Sequence, residues 1–211
     1  MKQIVISFAS ILAFSTITAY ASPQGITGIG WKKEISVQAG FAPGNLNWEY
    51  RHPLYTGTGG VLTLRETGSY RSGTFFSGRF ALSGRYLGFG AAGGYIPASI
   101  QVDKTAETYD FSSYFIELGA TFYPFKGPMS RFTPYTGIGA GGVFTTGELE
   151  TTAILYTFDA GLRVFFFKNF GVNIELKVRH FIYDEVPLGT NLSGDVNLTN
   201  IAGELGLVFM F

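Results

Sequence analysis

The chain has 211 residues, 15 basic and 15 acidic side chains, and no cysteine. A formal charge of zero argues against a nucleic-acid partner. The absence of cysteine excludes disulfides, a thiol nucleophile and thiolate metal sites.

At the N-terminus, Met1-Lys2 precedes a mostly apolar run from Ile4 to Ile17, and Ala19-Tyr20-Ala21 forms a small-residue cleavage pattern. This predicts an export leader over residues 1–21, removed before Ser22, and a mature domain over 22–211. The run is short and carries Ser and Thr, which disfavours the rival reading, a membrane anchor helix. No later segment is apolar enough for a transmembrane helix. The composition instead suits transmembrane strands, with 29 Gly, 21 Phe and 12 Tyr. Aromatics supply interface girdles, and glycine fits where strands bend or crowd.

The strand signal is an alternation of period two. In Lys33 to Phe41, Ile35, Val37, Ala39 and Phe41 alternate with Glu34, Ser36 and Gln38. A second short strand sets Leu46, Trp48 and Tyr50 against Asn47, Glu49 and Arg51, and Val61 to Tyr70 and Thr74 to Leu82 are predicted as the third and fourth. Apolar parity then slips by one near Ser83-Gly84-Arg85, as a turn or bulge produces, so Leu87 to Ile96 is a separate strand. Ser112 to Tyr123 sends Tyr114, Ile116, Leu118 and Phe122 outward and Glu117 inward. The Gly-rich stretch Arg131 to Thr145 has ambiguous parity.

Ile154 to Phe167 and Phe170 to Tyr183, joined by a tight turn at Lys168-Asn169, place Asp159, Arg163, Glu175, Lys177 and Arg179 on the inner face. In the last strand, Thr199 to Phe211, Ile201, Leu205, Leu207, Phe209 and Phe211 share the outer face and Glu204 the inner. In a soluble protein such a strand would be an exposed, adhesive edge. In a membrane barrel it closes the sheet against the first strand while its apolar face meets lipid.

The expectation is therefore an all-β fold, a single antiparallel transmembrane β-barrel, with ten strands favoured and eight the alternative if Leu46 to Tyr70 is partly loop. Both termini fall on the periplasmic side. Ala98 to Phe111, Thr146 to Thr152 and Asp184 to Asn197 are the expected outer loops, rich in acids that are read as solvated.

On this register the lumen receives Glu34, Glu49, Glu117, Asp159, Glu175 and Glu204 together with Arg51, Arg65, Arg79, Arg163, Lys177 and Arg179. Six acids against six bases predicts a structural charge network filling a narrow barrel, since an unpaired buried charge costs several kcal/mol. A narrow channel for small solutes or ions is the alternative. No catalytic, cofactor or metal site is expected. His180 shares the outward parity of Val178 and Ile182. Arg179-His180 is similar to part of the outer-membrane lipid A deacylase motif, but where that family has a serine this chain has Ile182. Gly137 to Gly142 lies within a strand with no following helix, so it is not a phosphate loop.

Pro134-Tyr135-Thr136-Gly137-Ile138-Gly139-Ala140-Gly141, Asp159-Ala160-Gly161-Leu162-Arg163 and the strand Phe170 to Arg179 resemble the small bacterial outer-membrane β-barrel superfamily, related in fold to the barrel domain of outer membrane protein A. With the terminal strand, the resemblance covers about half of the mature chain. It implies a Gram-negative outer-membrane location and a non-enzymatic structural or surface-interaction role. Implied partners are outer-membrane lipid, lipopolysaccharide and the assembly machinery, which reads a terminal aromatic such as Phe211.

Overall fold

The computed structural model describes residues 30–42, 46–55, 61–102, 108–125, 131–187 and 193–211, with side chains described outside 46–68, 102, 184–187 and 193–195. The expected leader, 1–21, lies outside the described residues. The described residues form ten strand segments: β1 (Lys32–Phe41), β2 (Leu46–Tyr55), β3 (Val61–Ser72), β4 (Thr74–Ser83), β5 (Leu87–Val102), β6 (Thr108–Phe122), β7 (Phe132–Gly147), β8 (Thr152–Phe165), β9 (Phe170–Pro187) and β10 (Ser193–Met210).

The ring contains eight strands, which corrects the favoured count of ten. Around it the order is β1, β4, β5, β6, β7, β8, β9, β10, and β10 returns to β1 from Glu34↔Met210 to Phe41↔Gly203. β2 and β3 add no places to this ring. β2 pairs with β10, the neighbour β1 already has, and β3 pairs with β5, the neighbour of β4. The first hairpin is thus one long antiparallel pair, interrupted between β1 and β2 and again at Gly73. Gly73 keeps its hydrogen bond to the β5 wall, N–H to the Pro97 carbonyl at 2.9 Å, while the register slips by one residue between Ser72↔Ala98 and Phe76↔Tyr95. That is a β-bulge in a continuous strand. A breaker residue in the sequence therefore marks a kink where a reversal was expected.

The outer loops are corrected for the same reason. Most of Ala98 to Phe111 and Asp184 to Asn197 is strand, belonging to β5, β6, β9 and β10. A tilted strand crosses the hydrocarbon layer in about 9–11 residues. β9 and β10 run for 18 residues each and β5 for 16, so the sheet overruns the membrane and forms a collar on the side away from the termini.

Parity separates the two faces. Outward-facing Val37 (62 % exposed), Phe76, Phe89, Leu118, Ile138, Phe158, Leu176 and Leu205 form an exposed apolar band around the ring. A closed ladder with such a band is a membrane-spanning structure, because every backbone polar group is satisfied within the sheet. At the band's outer edge Tyr114 stacks on Phe144 (centroids 5.2 Å apart, 11° between planes) and touches Tyr95 at 5.2 Å. At the opposite edge lie Leu87, Phe122, Phe132, Phe209 and Phe211. The parity of β7, ambiguous in the sequence, puts Phe132, Ile138 and Phe144 outside and Tyr135 and Val143 inside.

The continuity of the first hairpin has a direct test. Arg71 and Ser99 are cross-strand partners, and antiparallel partners lie within disulfide range. The double substitution Arg71→Cys/Ser99→Cys, in a chain with no other cysteine, is expected to form an intramolecular disulfide on oxidation, visible as a mobility shift on non-reducing gels. A ten-strand ring, which keeps β3 away from β5, gives no such shift.

Candidate functional site

The lumen is layered along its axis. Nearest the termini, Phe165, Val208 and Met210 form a small apolar floor. Above it lies a tier of charges, and above that a larger apolar core that includes Phe75, Ile96, Phe111, Phe115, Leu155, Phe181, Tyr183 and Leu198 and rises into the collar. The candidate site is the charged tier.

Its lowest pair joins strands that are not neighbours. Arg163 on β8 donates Nη1 to Glu34 Oε2 on β1 at 2.8 Å, and to the Tyr123 hydroxyl at 2.6 Å. Ser83 Oγ also donates to Glu34 Oε2, at 3.2 Å, and lies 2.9 Å from the Tyr123 hydroxyl. The guanidinium is sandwiched between Tyr135, 4.4 Å from its ring centre, and Tyr123 at 5.4 Å. Both Arg163 and Glu34 are 1 % exposed.

The middle group also spans the lumen. Lys177 Nζ reaches Glu117 Oε1 on β6 at 2.9 Å and Glu175 Oε1 on its own strand at 3.4 Å. Glu175 Oε2 accepts from the Tyr135 hydroxyl, from Asn173 Nδ2 at 3.3 Å and from Gln38 Nε2 at 3.4 Å. Uppermost, Arg179 Nη2 donates to Glu204 Oε1 at 2.5 Å. Phe75 and Phe115 hold the Arg179 guanidinium at 4.7 and 5.2 Å, where the charged tier meets the apolar core. Arg79 is half-buried and donates to Thr121 Oγ1.

The structure thus brings Glu117, Arg163, Glu175, Lys177, Arg179 and Glu204 into three interlocked groups. Asp159 is buried on the same face, directly opposite Lys177 in register, yet Lys177 turns to the two glutamates. Gly137 packs over the Asp159 carboxylate, where a Cβ would collide with both oxygens. The space left between Arg79, Glu117 and Asp159 is about 10 Å³, room for a single water-sized molecule. The side chains of Glu49, Arg51 and Arg65 lie outside the described residues. Among the described residues the interior holds five acids (Glu34, Glu117, Asp159, Glu175, Glu204) and four bases (Arg79, Arg163, Lys177, Arg179). Phe211 lies at the closing seam, exchanging N–H and carbonyl hydrogen bonds with Lys33 at 2.9 Å each.

Sequence reasoning missed the aromatic half of this tier. Tyr123 and Tyr135 share the inward parity of Glu117 and Val143, so the strand pattern carried the signal; a search restricted to charges passed over it.

No protein-family model matches the chain, and no curated protein sequence does. Several solved structures share its fold. The outer membrane protein OprG of Pseudomonas aeruginosa superposes with a TM-score of 0.57 at 11 % identity, covering 86 % of this chain and 96 % of OprG. The outer membrane protein AlkL gives 0.48 at 16 % identity, with 90 % and 94 % covered. Neisserial surface protein A gives 0.46 at 14 % identity, with 84 % and 97 % covered. The fold is that of the small outer-membrane β-barrels.

Removing one member of a buried pair strands its partner and costs about 3–5 kcal/mol, whereas replacing both with apolar groups is close to neutral. Glu204→Gln is therefore expected to weaken resistance to urea by that amount in lipid-reconstituted protein, and Arg179→Met/Glu204→Met to recover most of it. Equal losses in the single and double variants would show that the pair is not coupled.

Proposed function

We propose that this protein is a sealed, non-enzymatic outer-membrane barrel whose role is structural or one of surface interaction, exercised by the collar it holds above the membrane. The observation that carries this reading is the cross-lumen bracing. Arg163–Glu34 ties β8 to β1, and Lys177–Glu117 ties β9 to β6. Both lie across the path a solute would take, beneath the apolar core that fills the outer half. A diffusion pore needs a continuous wet path with binding weak enough to release its cargo. Here the charges are matched mainly to one another, and the pocket beside Arg79, Glu117 and Asp159 has room for about one water.

The non-enzymatic reading draws support from the surroundings of the histidine. His180 faces outward, is half-buried, and its Nδ1 lies 3.0 Å from Thr199 Oγ1. A nucleophile–base pair needs a third group to orient the base, and Ile182 stands where the deacylase family has its serine. The chain's second histidine, His52, has its side chain outside the described residues. Lipid along the apolar band, lipopolysaccharide beside the collar and the assembly machinery at the terminal strand are the partners this reading assigns.

Purified full-length protein in planar bilayers is expected to give no stable unitary conductance. Reproducible single-channel steps would overturn the sealed-barrel reading in favour of a narrow channel.

A further inference from the structure

Zero net charge conceals a strong separation of charge along the barrel axis. At the end of the ring that carries the termini, Lys32 and Lys33 stand where β1 begins, Arg85 in the β4–β5 turn, Arg131 just before β7 and Lys168 in the β8–β9 turn. Each opening between paired strands at this rim therefore carries at least one base, spaced every two strands around the ring. Lys33, Arg85, Arg131 and Lys168 are exposed and Lys32 is half-buried. The acid described at this end is Glu34, which is turned inward against Arg163 and only 1 % exposed. The collar at the far end instead exposes Asp110, Glu148 and Glu150.

The depth of the basic ring is fixed by aromatics. Lys33 Nζ lies 5.9 Å from the ring centre of Phe211, the Arg85 guanidinium 5.1 Å from Tyr86, and the Arg131 guanidinium 6.0 Å from Phe132. Lys168 follows Phe166 and Phe167, which are 56 % and 72 % exposed. Girdles of aromatic residues mark the two interfaces of a membrane barrel, so the cations beside them are held near headgroup depth. None of the five has a carboxylate partner among the described residues.

We propose that this rim is a binding surface for anionic phospholipid headgroups of the periplasmic leaflet, with one station at each of the four strand-pair openings. Arg85 and Arg131 grip phosphate through their planar forks, and the lysines act as point charges. The surface lies outside the lumen, so the proposal stands whether or not the barrel conducts.

Wild-type protein is reconstituted in phosphatidylcholine bilayers containing a trace of spin-labelled phosphatidylglycerol or, separately, spin-labelled phosphatidylcholine. The motionally restricted fraction then gives the relative association of the two lipids. A single Lys or Arg near an anionic surface contributes on the order of 1 kcal/mol, so phosphatidylglycerol is expected to be favoured roughly fivefold at low salt. The preference should fall toward unity at about 1 M salt, where the screening length shrinks to about 3 Å. Lys33→Gln/Arg85→Gln/Arg131→Gln/Lys168→Gln is expected to abolish it, and Asp110→Asn/Glu148→Gln/Glu150→Gln to leave it intact. Equal association of both lipids with the wild type, or a preference that survives the basic-rim substitutions, overturns the proposal. If those substitutions prevent folding, the wild-type salt titration decides it: a preference that does not fall with salt rejects an electrostatic rim.

Discussion

Everything in this structure depends on the closure of the hydrogen-bonded ladder between β1 and β10. In hydrocarbon an unsatisfied peptide group costs several kcal/mol, so a sheet can enter the membrane only without free edges. The seam from Glu34↔Met210 to Phe41↔Gly203, continued by the paired hydrogen bonds of Lys33 and Phe211, removes the last two edges. Once the ring is closed, the period of two assigns every side chain to lipid or lumen. A register shift of a single residue would send Arg163 or Glu175 into the bilayer.

That constraint explains what was legible in the sequence. Alternation is a local property: Lys33–Phe41 matches β1 to within a residue, whereas Phe170–Tyr183 and Thr199–Phe211 cover only part of β9 (Phe170–Pro187) and β10 (Ser193–Met210). The number of strands in the ring is not local. Gly73 looks like punctuation in the sequence, and a bulge and a reversal leave the same mark on apolar parity. Only the shared neighbours of β1 and β2, and of β3 and β4, reveal that the chain continues in one direction.

The interior was readable as a set of inward residues but not as a set of pairs. Register alone places Asp159 opposite Lys177 and Glu204 opposite Glu175, the latter a repulsive match. In a narrow barrel, however, long side chains reach the far wall. Arg163 finds Glu34 and Lys177 finds Glu117, while Glu204 is neutralised by Arg179. Which partner is taken depends on tilt, stagger and the space left by glycines such as Gly137, and none of these has a sequence period. The apolar upper tier was hidden for a related reason. The inner faces of β6, β8 and β9 change from charged to aromatic or aliphatic partway along, at Glu117 to Phe115, Asp159 to Leu155 and Arg179 to Phe181.

The Arg163–Glu34 pair also bears on the order of events during assembly. Its members are 129 residues apart and sit on opposite sides of the seam's closing step. Contacts of such sequence separation form late, after the loop entropy between them has been overcome. Tyr123, Tyr135 and the strands that carry them belong to one continuous run of neighbours and can surround Arg163 early; its counter-charge arrives only with the first strand. A growing sheet therefore carries an uncompensated cation on its inner face until the ring is complete. Closure is rewarded twice, once by the backbone and once by the neutralisation of that charge, which makes the half-built barrel a poor resting state.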